Sequence, residues 1–258
     1  MTNWIDFGRG PLFRLCFALM VLGLARILIL TLLGIHEAYR RSPDKIVGWR
    51  EIRYQTIAWL FPIGRLWRQR PAYSLFSFVF HIGMIITPLF LASHILLWRN
   101  SVGFGWAAIP QELANWLALL VIFAGFGLFL GRVLDPPARK LSRPQDFLWP
   151  LLIVTPFVTG YVASNAAIGP RAYQEMMLVH VYTADFIMLM IPFTKIAHCV
   201  LMPLSQLVTS IAWKFPAGAG DRVVETLGFS ERPTWMPKAR LSTGLGASEP
   251  ALKGGAKK

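Results

Sequence analysis

The chain has 258 residues, of which 55% are hydrophobic and 15% charged, with a formal net charge of +13. That little charge excludes an ordinary soluble domain, which carries about a quarter charged residues. The basic residues are spread over alternate connections rather than gathered on one soluble face, which excludes a nucleic-acid binder.

Residues 1–11 read as a short arm. The first apolar block, 12–33, is too long for a signal-peptide core and lacks an A-x-A site, so it reads as a retained helix. Arg26 lies in its second half and His36 near its end. Residues 36–71 form the longest polar connection. Within it, 52–68 mixes Ile52, Ile57, Trp59, Leu60, Phe61 and Trp67 with Arg53, Arg65 and Arg68. That pattern predicts a helix lying on the membrane surface or against a partner, broken at Pro62.

Blocks 72–98, 113–133, 147–167 and 176–202 follow, each long enough to span a bilayer. The second block contains Pro88. The third carries Gly125, Gly127 and Gly131, small residues that permit close helix approach, and the turn Asp135-Pro136-Pro137 ends it. Pro156 and Gly160 predict a bend in the fourth. The fifth ends near Pro203. Trp98, Trp106, Trp116 and Trp149 fall near block ends, as an aromatic belt requires. No apolar/polar alternation supports a β-barrel. The expected fold is therefore an all-α membrane protein. A five-transmembrane-helix bundle occupies residues 1–213, and 214–258 form an extended or disordered tail rich in Gly, Pro, Ala and Lys.

Lys and Arg number eight in 36–71, four in 132–146 and eight after Pro203, whereas 99–112 and 168–175 hold only Arg99 and Arg171. By the positive-inside rule the N-terminus is outside and the C-terminus cytoplasmic. The two cysteines, Cys16 and Cys199, form no C-x-x-C pair. No iron–sulfur ligand set, zinc ribbon or covalent c-type haem attachment is therefore present.

Four of the five histidines lie inside predicted spans: His81, His94, His180 and His198. Polar side chains in a membrane are costly and mark function. His180 and His198 are eighteen residues apart, five turns of one helix, and share a side at a separation of about 27 Å. Antiparallel helices place His81 level with His198 and His94 level with His180. Two such pairs suit two stacked haems, each held between two imidazoles. His81 and His94 fit less simply, because thirteen residues turn an ideal helix by about 220°. A distortion at Pro88 or a single-turn bulge would rotate one of them back. Plain interhelical hydrogen bonding is the alternative role for a membrane histidine. Zinc requires ligands converging on one tetrahedral point, which residues eighteen apart on a helix do not supply. His36 reads as an interfacial residue.

The stretch Pro192-Phe193-Thr194-Lys195-Ile196-Ala197-His198, preceded by His180, resembles the last helix of the gamma subunit of respiratory nitrate reductase. So does Arg143-Pro144-Gln145-Asp146-Phe147 at the start of the fourth block. Phe80-His81-Ile82-Gly83, Pro88-Leu89-Phe90 and Ser93-His94 are similar to one branch of that dihaem cytochrome b family. The branch comprises cytochrome b subunits of membrane redox complexes in sulfate- and sulfur-metabolising bacteria, with heterodisulfide-reductase-like partners. The resemblance covers roughly residues 60–205.

It implies two b-type haems on His81/His198 and His94/His180, and a quinone or menaquinone as electron donor or acceptor. It also implies an iron–sulfur subunit, a multihaem cytochrome c, or both as partners, and a multi-pass location in the bacterial cytoplasmic (inner) membrane. The chain is then an electron-transfer subunit of an oxidoreductase complex. Arg26 and Lys195 are candidates for pairing with haem propionates, or they snorkel to the interface. Asp185 is a candidate proton relay, or a bond to a neighbouring helix. In the nitrate reductase family the quinone site lies by the outer haem. At that depth the chain offers Arg99, Asn100, Gln111, Glu112 and Glu175, with Glu175 a possible proton acceptor or an ordinary helix-start acid. The alternatives are a cofactor-free membrane anchor for soluble redox subunits and a transporter. For a transporter the absence of repeated halves is awkward.

Overall fold

The computed structural model describes residues 1–42, 45, 47–61, 70–212 and 219–229, and all elements among them are helical. Five helices are long and apolar enough to cross a bilayer, which makes this an all-α multi-pass membrane protein.

Helix α1 (Thr2–Arg41) runs for 40 residues. The expected arm is thus helical, with a π-helical turn at Gly8–Leu12. Pro11 has no N–H to return to the preceding turn, and the widened turn takes up that defect. Helix α2 (Trp49–Leu60) occupies part of the segment read as a surface helix. Pro62, Arg65, Trp67 and Arg68 lie outside the described residues. Helices α3 (Pro71–Phe90) and α4 (Ala92–Val102) form the second crossing, and α5 (Gln111–Leu134) the third. The short α6 (Pro136–Leu141) leads into α7 (Pro144–Asn165), which is continuous despite Pro150 and Pro156. Helix α8 (Pro170–Met190) is followed by two 3₁₀ turns, Ile191–Phe193 and Lys195–Ala197, and then by α9 (His198–Ala212). In the region read as an extended tail, Ala219–Thr226 form a short helix α10 that Gly228 closes in the left-handed region at φ 65°. The remainder of that region lies outside the described residues.

The crossings pack in the order α3–α5–α7–α8–α1. Phe80, Ala118, Val121, Ala124, Val154 and Phe157 form the dry centre where α3, α5 and α7 meet. Gly83 and Gly125 allow the approach, since a Cβ on Gly83 would strike Val121 and one on Gly125 would strike Val154. Gly131, expected to help in the same way, has nothing within 4 Å. Large apolar side chains such as Leu22, Phe123, Leu148 and Phe186 point outward, which suits hydrocarbon and not water.

Two crossings differ from the expected continuous helices. The second breaks at Leu91, whose ψ of 132° is extended, and not at Pro88. A break in a membrane strands carbonyls, and each needs a donor. Here the carbonyl of Pro88 accepts from His94 Nδ1 (3.1 Å), that of Leu89 from Trp106 Nε1 (2.8 Å), and that of Phe90 from the Ile109 N–H (3.0 Å). Trp106 therefore has a structural task beyond an aromatic belt, and Trp98 packs edge-on against Phe13 and Phe17 of α1. The fifth crossing breaks at Thr194, extended at φ −128° and ψ 179°. His180 and His198 thus do not share one unbroken helix, and the five-turn register read from the sequence does not hold.

Two of the sequence stretches that carried the resemblance, 143–147 and 192–198, meet at this second break. Lys195 Nζ lies 2.6 and 2.9 Å from the two carboxylate oxygens of Asp146. Asp146 also accepts the Arg143 backbone N–H at 2.9 Å, one half of a capping box at the start of α7. Pro192 is buried against Gly23 of α1, where a Cβ would sit 2.6 Å from the proline ring.

Replacing Trp106 with Phe should strand the Leu89 carbonyl at a cost of about 1–3 kcal/mol. The thermal unfolding midpoint of the detergent-solubilised protein should fall; an unchanged midpoint would show that the bond contributes nothing.

Candidate functional site: two facing imidazole pairs

The structure brings the four membrane histidines together two by two. His81 on α3 faces His198 at the start of α9, with ring centres 6.0 Å apart and planes at 75°. His94 on α4 faces His180 on α8, also 6.0 Å apart, with planes at 24°. The breaks make this possible. Extended backbone at Leu91 re-aims α4, so His81 and His94 both reach the same partner crossing despite the 220° between them on an ideal helix. Extended backbone at Thr194 does the same for His198.

Each imidazole is held by its Nδ1. His81 Nδ1 lies 2.6 Å from the Ser77 carbonyl, His94 Nδ1 3.1 Å from that of Pro88, His180 Nδ1 2.7 Å from that of Pro156, and His198 Nδ1 2.7 Å from that of Lys195. A carbonyl only accepts, so Nδ1 must carry the proton in all four rings. The neutral ring then keeps its lone pair on Nε2. An N–H donated to a carbonyl while the other nitrogen stays free is the usual arrangement of a metal-binding histidine.

The spacing suits a metal between the rings. Two imidazoles bound trans to one ion through Nε2, with bonds of about 2.0–2.1 Å, have centres roughly 6 Å apart. Neither α3 with α9 nor α4 with α8 is among the closely packed neighbours, so the paired imidazoles do not meet within a packed helix seam. Gly160 on α7 supplies a further cradle. A Cβ there would lie 2.9 Å from Cε1 and 3.0 Å from Nδ1 of His180. Gly160, read from the sequence together with Pro156 as a bend, leaves room for an imidazole. Among the described residues, no group of three or more His, Cys, Asp or Glu side chains could hold one ion. The donor sets are two imidazoles each, and they fit haem iron, whose other four ligands belong to the porphyrin.

The remaining site residues read from the sequence are dispersed. Lys195 is engaged with Asp146. Arg26 is exposed and makes no ion pair among the described residues. Glu175 is paired with Arg171 at 3.0 Å, an ordinary i,i+4 helix contact. Arg99 is exposed beside Gly105, its Nε 3.4 Å from where a Cβ would stand. His36 is exposed near the end of α1. Asp185 is buried on α8, and its Oδ2 has no hydrogen-bond partner among the described residues. A cavity of about 270 Å³ opens between α5 and α7, lined by Glu112, Asn115, Trp116, Leu119 and Tyr161. Of these only Glu112 stood among the sequence candidates. Tyr161 adjoins Gly160 but belongs to no motif, so nothing in the sequence distinguished it.

The fold and these paired histidines define a multi-pass helical membrane protein with two bis-imidazole sites. Over 182 residues the chain is 30% identical to a protein of Nitratidesulfovibrio vulgaris strain Hildenborough, spanning 70% of this chain and 79% of that one. The chain belongs to that protein's family; the relative is described only as "Protein", so the kinship carries no activity with it. No family model and no solved structure matches the chain.

Gly160→Val should push His180 away from His94 and loosen the α7–α8 seam by about 1–3 kcal/mol, as overpacking does. Gly131→Val, into open space, should leave the unfolding midpoint in place. Equal effects of the two substitutions would contradict the cradle.

Proposed function

We propose that the protein is a cytochrome b subunit of a respiratory redox complex, carrying two b-type haems, one on His81 and His198 and one on His94 and His180. The observation that supports this most is the shared geometry of the two pairs: ring centres 6.0 Å apart, every Nδ1 tied to a carbonyl, every Nε2 free to bind. A haem in each pair would supply one-electron chemistry through an iron with both axial positions filled. The chain's own residues would hold each ring, fix the tautomer of its ligands and exclude water from the iron.

The basic connections argue for the N-terminus outside and for the His81/His198 pair on the cytoplasmic side. The location would be the bacterial inner membrane. Electrons would pass between a quinone pool and a partner subunit, because among its motifs the chain has no iron–sulfur or flavin set of its own. An iron–sulfur subunit of the heterodisulfide-reductase type and a multihaem cytochrome c are the partners the resemblance implies. The α5–α7 cavity is a better quinol position than Glu175, which Arg171 already neutralises. Glu112 there can accept a quinol proton, and the Tyr161 hydroxyl can hold the ring oxygen.

Haem and iron assay of the intact purified protein, expressed with ample porphyrin supply, tests the proposal. Two haems per chain are expected, and a folded, colourless protein would reject it in favour of a cofactor-free anchor. His198→Ala should remove one haem and spare the other, and His180→Ala should do the converse. Loss of both or neither in each variant would contradict the pairing. Glu112→Gln should slow quinol oxidation about tenfold or more, the lower range of general-base effects, with haem content unchanged; full turnover would eliminate the cavity as the quinol site.

A further inference from the structure

Helix α1 carries an arginine that no carboxylate among the described residues neutralises, at the level of one imidazole pair. The π-helical turn Gly8–Leu12 includes Arg9. Gly8 brings this turn against α8: a Cβ there would lie 2.6 Å from Val181 Cγ1 and 3.3 Å from the Tyr182 ring. Tyr182 also donates its hydroxyl to the Trp4 carbonyl at 3.2 Å. Val181 and Tyr182 directly follow His180, so the turn is locked at the level of the His94/His180 pair. Arg9 lies within electrostatic range of the His180 ring. Among the described residues no carboxylate forms an ion pair with Arg9, and this includes Asp6, one turn back. The other end of the bundle differs, because Lys195 there already has Asp146.

Arg9 is exposed at this end of α1, so its guanidinium is open to an incoming anion. A b-type haem brings two carboxylates on one edge of its ring, and a guanidinium binds carboxylate through two parallel hydrogen bonds. Resting on the reading of His94 and His180 as an iron-binding pair, we propose that Arg9 pairs with a propionate of the porphyrin held there. It would be a positioning residue that fixes the rotation of the ring between α4 and α8. Its charge would also favour the reduced iron, which carries one positive charge fewer.

Spectroelectrochemical titration of the full-length protein in detergent tests this, using wild type, Arg9→Gln, Arg9→Lys and Arg26→Gln. The centre beside Arg9 is identified as the one that His180→Ala abolishes. Arg9→Gln should shift that centre to lower potential by about tenfold in the reduced-to-oxidised ratio, 59 mV for one electron. The other centre should stay in place. Arg9→Lys should recover part of the shift, and Arg26→Gln should move neither centre. Selective loss of the His180-dependent haem in Arg9→Gln, restored in Arg9→Lys, also supports the assignment. No shift, an equal shift of both centres, or loss of both haems overturns it. A wild-type chain without haem overturns the iron-binding reading itself, whereas two haems with unmoved potentials overturn only the role of Arg9.

Discussion

A carbonyl stranded inside a membrane must find a donor, and much of this structure follows from how the chain meets that demand at the break in the second crossing. At Leu91, three carbonyls lose their helical partners and recover an imidazole, an indole and a returning backbone N–H. Past Thr194, the Lys195 carbonyl accepts both the backbone N–H of His198 and its Nδ1–H. The break at Leu91 thus frees the carbonyl that aims His94, and the 3₁₀ turn after Thr194 supplies the one that holds His198. His81 and His180 are held in the same way by carbonyls of continuous helices, Ser77 and Pro156. Breaking a membrane helix is costly unless the stranded groups are satisfied, and at Leu91 their satisfaction orients His94.

This arrangement links packing to chemistry. The α3–α5–α7 centre is a dry seam built on Gly83, Gly125 and the buried Val121. Gly160 opens α7 toward His180, and Gly23 lets α1 press on Pro192 at the second break. The Asp146–Lys195 contact ties the start of α7 to that same break. Pieces that look unrelated in the sequence therefore converge on the positions of two imidazoles, one at each end of the bundle.

The sequence made the coarse architecture legible because membrane spans are written in long apolar blocks, and charge does not intrude on them. It also made the pairing of His81 with His198 and of His94 with His180 legible, because antiparallel crossings fix depth by residue count alone. Facing was harder. The five-turn spacing of His180 and His198 suggested one shared helix side, but the helix breaks between them. The opposed phases of His81 and His94 looked like an obstacle, and the break at Leu91 removes it. Neither Leu91 nor Thr194 is a glycine or a proline, so local propensity marks neither as a breaking point. Pro88 and Pro192 stand nearby, but the extended residue is a neighbour in each case. Ion pairing was legible only where it is local: Arg171 and Glu175 stand at i,i+4, whereas Lys195 resembles a free site residue until Asp146, distant in sequence, is seen beside it. The Gly160 cradle depends on a contact between α7 and α8 that no local pattern encodes.

If each pair of imidazoles grips one iron from opposite sides, low-temperature electron paramagnetic resonance of the oxidised protein reads that directly. Rings at 75° in one pair and 24° in the other should give two distinct low-spin ferric signals. With both axial positions filled, the reduced protein should not bind carbon monoxide. A high-spin ferric signal, or carbon monoxide binding by the native reduced protein, would contradict an iron held between the two imidazoles of a pair.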